Sequence, residues 1–183
     1  MNNELKAFKG VVRNKYGSVV WSHKIQEKQA EIYSEKYILL SKINIGCSAI
    51  VGCGILSLFY TNWLWVKIFS AVVSFGSAFV SLYFKSFDLK GLSSGNKATA
   101  LKLLVIRDEL QLLLLKIKTE KWEYDDLYLE FENLVKRLDS IYQEAPDTTE
   151  KAVERARISL NVNKDNEITD EEIDGNLPEE LRG

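Results

Sequence analysis

The chain has 183 residues with 26 acidic and 24 basic side chains, a net charge of −2, so it lacks the global basic field that nucleic-acid binding requires. A single histidine and two cysteines exclude a disulfide framework and leave no His/Cys spacing suited to a metal. Mean hydropathy of −0.14 and 27% charged residues look soluble, but this average hides a sharp segregation of apolar from charged sequence.

Residues 1–42 form the first segment. After Gly17, VVWSHKIQEKQAEIYSEKYILLSKI contains neither Pro nor Gly and predicts a helix running straight into the apolar sequence beyond it. His23 stands four residues from Glu27, which reads as a surface pair rather than a metal site. No basic stretch leads directly into a short apolar run here, so no cleavable signal peptide is expected.

Residues 43–84 predict a transmembrane hairpin. Ile43 to Val66 holds no charge, Lys67 interrupts, and Ile68 to Phe84 is again uncharged. A span needs about 20 apolar residues. Ile43–Tyr60 and Trp63–Phe84 each meet that requirement, joined by a tight Thr61-Asn62 turn. Tyr60, Trp63 and Trp65 at the turn and Tyr83 at the far end suit the membrane interface. Lysines 24, 28, 36 and 42 precede the first span, and Lys85, Lys90, Lys97, Lys102 and Arg107 follow the second. The positive-inside rule therefore predicts that both termini face the cytoplasm. Cys47 and Cys53 cannot bridge within one helix at a spacing of six and are expected as small packing residues.

Within the second span, Ser70, Ser74, Ser77 and Ser81 fall on one narrow helical stripe. The first span supplies Asn44, Ser41 and Ser48 at its cytoplasmic end, together with Gly52 four residues after Ser48. Two uses of these residues are open. Small side chains let helices approach closely in lipid, and a serine can satisfy its hydroxyl on its own backbone. Alternatively, hydroxyls repeated around a ring of subunits would line a polar conduit. Ser70, Ser74, Ser77, Ser81, Asn44, Ser48 and Gly52 are thus the candidate pore-lining or helix-packing residues. No intramembrane acid is present to relay protons or ligate an ion.

Residues 85–96 are expected to be a linker, with GLSSG at 91–95 as a flexible joint. Residues 97–160 predict cytoplasmic helices. Leu103, Ile106, Leu110, Leu113 and Ile117 repeat at helical spacing, as do Leu127, Phe131, Leu134, Leu138 and Ile141, giving two coiled-coil-like seams. The polar stretch from Thr119 to Tyr124 can turn one seam back on the other. Leu101, Leu104, Leu112 and Leu115 occupy other faces of the first helix, which favours a bundle or a subunit interface. Pro146 should stop the preceding helix, and Asp147 with Glu150 has capping-box spacing for a last helix ending near Leu160.

Residues 161–183 form an acidic tail, eight Asp/Glu against Lys164 and Arg182. Asn161, Asn163, Asp165, Asn166, Ile168, Thr169 and Glu172 fall at calcium-loop positions, but Asn replaces the first Asp and the central Gly is missing, so a solvated tail is expected. Ile173, Leu177 and Leu181 suggest a docked end. The sequence offers no catalytic residues, no phosphate loop, no cofactor-binding residues and no metal ligands. Asp125 and Asp126 sit on a polar face without a base, so enzymatic activity is not expected.

The expected fold is all-α: an N-terminal helix, a transmembrane hairpin and a cytoplasmic helical bundle, assembled as a homo-oligomer in the lipid bilayer. This arrangement resembles the SLATT proteins, two-transmembrane effectors associated with bacterial nucleotide-signalling and antiphage conflict systems. The resemblance is carried by the aromatic, lysine-rich first helix with Trp21, Tyr33 and Tyr37, the tight hairpin, the leucine-rich helices, and EAPDTTEKAVERA before the final EEIDGNLPEEL. It implies a pore-forming or membrane-perturbing effector of the bacterial inner membrane, acting in abortive-infection defence. A separate sensor or nucleotide-synthesising partner would trigger it. The family offers no active-site residues to carry over. The competing expectation is a non-conducting, membrane-anchored scaffold that recruits a partner through its leucine seams.

Overall fold

One long helix organises the molecule. In the computed structural model, which describes residues 3–57, 63–119, 121–165, 169–176, 178 and 180, helix α1 covers Asn3–Ser57. Its 55 residues extend about 80 Å at 1.5 Å per residue. The helix begins earlier than the sequence suggests and passes through Gly10 and Gly17. An added Cβ at either glycine would meet nothing within 4 Å, so both occupy open positions that a packed helix tolerates.

The remaining elements return along α1. Helix α2 is Leu64–Ser86, α3 Leu89–Thr119, α4 Tyr124–Glu144, α5 Glu150–Asn161 and α6 Asp170–Asn176, so the regular structure of the described residues is all-helical. α2 lies antiparallel to the second half of α1, and α3 continues down its first half. α4 runs back up α3, with Lys116–Glu130, Glu109–Arg137 and Lys102–Glu144 pairs marking the antiparallel alignment. α5 then lies against α1 near Glu35.

Both apolar seams form the core. Leu103, Ile106, Leu110, Leu113 and Ile117 are buried, as are Leu127, Leu134 and Leu138, while Phe131 and Ile141 pack half-buried against them. α1 contributes Phe8, Val12 and Val19. Phe8 closes the lower end, edge-on to Tyr124 and Phe131 with ring centroids 5.6 Å apart in both pairs. Each fully buried aliphatic side chain of this kind contributes about 1.5–3 kcal/mol.

Two local expectations need correction. The GLSSG stretch, residues 91–95, is not a joint but the opening turns of α3. Asp88 precedes that helix and its Oδ1 accepts a hydrogen bond from Gly91 N at 2.8 Å, the bond of an N-cap to the third helical residue. A Cβ on Gly91 would come within 2.1 Å of Asp88 Oδ2, so the glycine makes room for the cap. The bend falls instead at Phe87, which is extended at φ −124°, ψ 104°. Likewise Thr149, not Asp147, caps α5, its hydroxyl accepting from Ala152 N at 3.4 Å. Glu150 is the first helical residue and not the third, because Thr149 is fixed from α1, as described below.

Among the described residues one stretch, Leu64–Thr119, contains an 18-residue window apolar enough to cross a membrane, with mean hydropathy 1.6 and none of it buried. The apolar part of that stretch is α2. The Thr61-Asn62 turn and Tyr60 lie outside the described residues, as do the side chains of 52–57.

Candidate functional site

Among the described residues, three cross-helix side-chain contacts mark the pairing of α1 with α2. Ser77 Oγ donates to Asn44 Oδ1 at 3.4 Å, Tyr37 meets Phe84 edge-on at 5.5 Å between centroids, and Lys36 Nζ stands 5.2 Å over the Tyr83 ring. On α2, Val66, Ser70, Val73, Ser77, Val80 and Phe84 are half-buried and turned to α1. The opposite face is bulky and bare: Phe75 is 83% exposed and Phe79 70%.

The serine stripe lies along the border of this contact. Ser70 and Ser77 are half-buried on the α1 side, whereas Ser74 and Ser81 are exposed. On α1, Ser41 and Asn44 are half-buried and Ser48 is exposed. Gly52 belongs to α1, and its surroundings lie outside the described residues.

Register now links the two stripes. One helical turn below the Asn44–Ser77 rung, Ser41 comes level with Ser81; one turn above it, Ser48 comes level with Ser74. Because the helices are antiparallel and both right-handed, all four of these serines project from the same edge of the pair. A ladder of hydroxyl and amide groups therefore runs up one edge, while phenylalanines cover the back of α2. The sequence reveals each stripe separately; only the register aligns them.

Below the paired helices lies a second polar cluster that sequence reasoning missed. Gln29 Oε1 accepts from both Thr149 N and Thr149 Oγ1 at 2.8 Å, which fixes the α5 cap. Gln26 Nε2 donates to Pro146 O at 3.2 Å, and Ser93 Oγ donates to Ala30 O at 2.8 Å. Asn96 Nδ2 donates back to Leu92 O at 2.8 Å. Gln26 Oε1, Gln29 Nε2 and Asn96 Oδ1 are buried with no protein partner, a setting in which ordered water is the usual ligand. One signal was available: Val12, Val19 and Gln26 follow at steps of seven, so Gln26 occupies a core position.

Charge around this joint is modest. Burial pushes the His23 imidazole below its ordinary value, opposed by Glu27 and reinforced by Arg107 and Lys24. For Glu27, burial acts upward, but the hydrogen bond and charge of Lys24 at 2.7 Å outweigh it and hold the carboxyl low. Arg155 grips Glu35 through two 2.9 Å hydrogen bonds and lowers its carboxyl, at an exposed position.

Further out, α3 exposes an apolar stripe opposite its core face: Leu101 at 55%, Val105 at 50%, Leu112 at 57% and Leu115 at 52%. In the tail, Asp165 accepts a hydrogen bond from the Ser159 hydroxyl, Asn161 ends α5, and Asn166 and Ile168 lie outside the described residues, as do Leu177 and Leu181. Cys47 is a free, half-buried thiol. Among the described residues no group of three or more His, Cys, Asp or Glu side chains could hold a metal ion.

Comparison with known sequences gives one result. The profile of the SMODS and SLOG-associating 2TM effector domain family 4 matches residues 8–172. No curated protein and no solved structure matches the chain.

Proposed function

The chain belongs to the SMODS and SLOG-associating 2TM effector domain family 4, a family of transmembrane effector domains and not a known enzyme family, and from that premise we propose that it is an oligomeric, non-enzymatic effector that breaches a membrane. In this reading the second half of α1 and α2 form the two spans. Both termini and the bundle face the cytoplasm of a bacterial cell. Release of the membrane barrier is the output of an abortive-infection antiphage system, triggered by a separate sensor or nucleotide signal.

The observation that carries the reading is the polar ladder. In an isolated pair in lipid Ser77 and Asn44 satisfy each other, but the hydroxyls of Ser41, Ser48, Ser74 and Ser81 on the edge find no cross-helix partner among the described residues. Repeated around a ring of copies, the same edge supplies an uncharged hydrated lining, and two helices cannot enclose such a path alone. The exposed leucine stripe of α3 supports assembly, because it offers a second apolar face directly below the paired helices.

Purified protein reconstituted in liposomes provides the test. Ser74→Leu with Ser81→Leu should abolish dye leakage while membrane insertion persists, whereas Phe75→Leu on the bare face should leak like the parent. Undiminished leakage from the double serine variant would remove the ladder as a lining.

The α3 stripe also favours a second reading, a non-conducting scaffold that recruits a partner protein. Replacing residues 43–84 by an unrelated two-span hairpin separates the two: a scaffold keeps its activity and a conduit loses it.

A further inference from the structure

At the bend between α2 and α3 a groove of about 570 Å³ opens against α1, lined on one side by Ser41, Asn44 and Tyr37 and on the other by Phe84, Phe87, Asp88 and Lys90. Its chemistry is divided. Ile45, 70% exposed, and Phe87, 52% exposed, present uncovered apolar surface beside the half-buried Phe84, while Asp88 and Lys90 place opposite charges beside the hydroxyl and amide groups. Asp88 uses Oδ1 to cap α3 and retains Oδ2, and Lys90 is exposed on the same groove.

The depth of this groove matters as much as its lining. It sits where the uncharged sequence of α1 and α2 gives way to the lysine-rich bundle. On the two-span reading, on which this inference rests, that level is the cytoplasmic headgroup layer. An apolar wall there meets acyl chain, and a charged wall meets headgroup.

We propose that the groove is a binding site for one phospholipid whose headgroup carries both charges, its phosphate on Lys90 and the Ser41 and Asn44 side chains, its ammonium on Asp88. The first acyl carbons lie on Ile45, Phe84 and Phe87. A purely anionic headgroup satisfies Lys90 but brings like charge against Asp88, so an aminophospholipid is preferred over an anionic one. The site shares Ser41 with the lowest level of the ladder, which makes the lipid a wedge at the foot of the paired helices.

The full chain in detergent, supplied with phosphatidylethanolamine or phosphatidylglycerol and followed by native mass spectrometry, decides the matter. One phosphatidylethanolamine should stay bound through delipidation, at least tenfold more tightly than phosphatidylglycerol. Lys90→Gln should weaken it about tenfold, and Lys118→Gln, at the far end of α3, should leave it unchanged. Soluble phosphoethanolamine at millimolar concentration should not displace it, because it lacks the chains that cover the apolar wall. Equal retention of both lipids, insensitivity to Lys90→Gln, or full displacement by the soluble headgroup would each overturn the assignment. Sedimentation of the same preparations with membranes tests the two-span reading separately: a chain that pellets with membranes but holds no lipid defeats only this proposal.

Discussion

Gln29 holds Thr149 by two hydrogen bonds to a single side-chain oxygen, each 2.8 Å, across 120 positions of sequence. One bond comes from the backbone and one from the hydroxyl that caps α5, so the start of α5 is set by α1. Gln29→Leu should strip both bonds and cost about 1–3 kcal/mol, the penalty for a buried donor left without a partner. Hydrogen exchange should show amides of 150–161 losing protection while those of α3 keep theirs.

By contrast, the Arg155–Glu35 pair is exposed and screened. Arg155→Met should change the unfolding free energy by less than about 1 kcal/mol, read by denaturant titration in detergent.

The apolar seam responds differently. Leu110 is 1% exposed at the centre of the bundle, and Leu110→Ala should destabilise by about 2–5 kcal/mol through lost transfer and a residual cavity. Thermal unfolding followed by far-UV circular dichroism would show it.

Two glycines predict opposite outcomes for one substitution. Gly10→Ala, on an open face of α1, should gain about 1 kcal/mol from helix propensity. Gly91→Ala should gain nothing or lose stability, because the new Cβ displaces the Asp88 carboxylate from its cap. Thermal midpoints of the two variants give the comparison.

His23 gives the bundle a pH dependence. Its folded value lies below the ordinary 6.5, chiefly through burial, with Glu27 and Asp108 opposing and Arg107 and Lys24 assisting. Below 6.5 the unfolded chain takes up the proton first, so the contribution present above 6.5 is lost as pH falls through the folded value. Glu27, lowered from 4.5, adds a loss only further down. His23→Gln should flatten the decline in thermal midpoint just below 6.5 and leave the more acidic limb in place.

Much of this molecule is written in one-dimensional patterns. The two leucine seams were legible because burial on one helix face imposes a three-and-four spacing on Leu103 to Ile117 and on Leu127 to Ile141. The scarcity of charge in residues 43–84, broken only by Lys67, was legible for a similar reason, because composition is read directly from contiguous residues. The serine stripe on α2 and the polar residues of α1 were visible as separate features. Caps were harder. Asp147 and Thr149 are both competent N-caps, and the choice depends on Gln29, far away in sequence. The GLSSG stretch reads as a joint because glycine and serine weaken a helix in isolation; the Asp88 cap and the Ser93 bond to Ala30 O of α1 supply what those residues lack.

The sequence by itself determined the all-helical class, the apolar faces and the membrane-compatible stretch, since each follows from the periodicity or composition of contiguous residues. Only the tertiary structure decided that Ser41 stands level with Ser81 and Ser48 with Ser74, that Gln29 governs the start of α5, and that a two-faced groove opens at Phe87. Those relationships depend on the register between helices, which long-range contacts such as Asn44–Ser77 fix and no local pattern encodes.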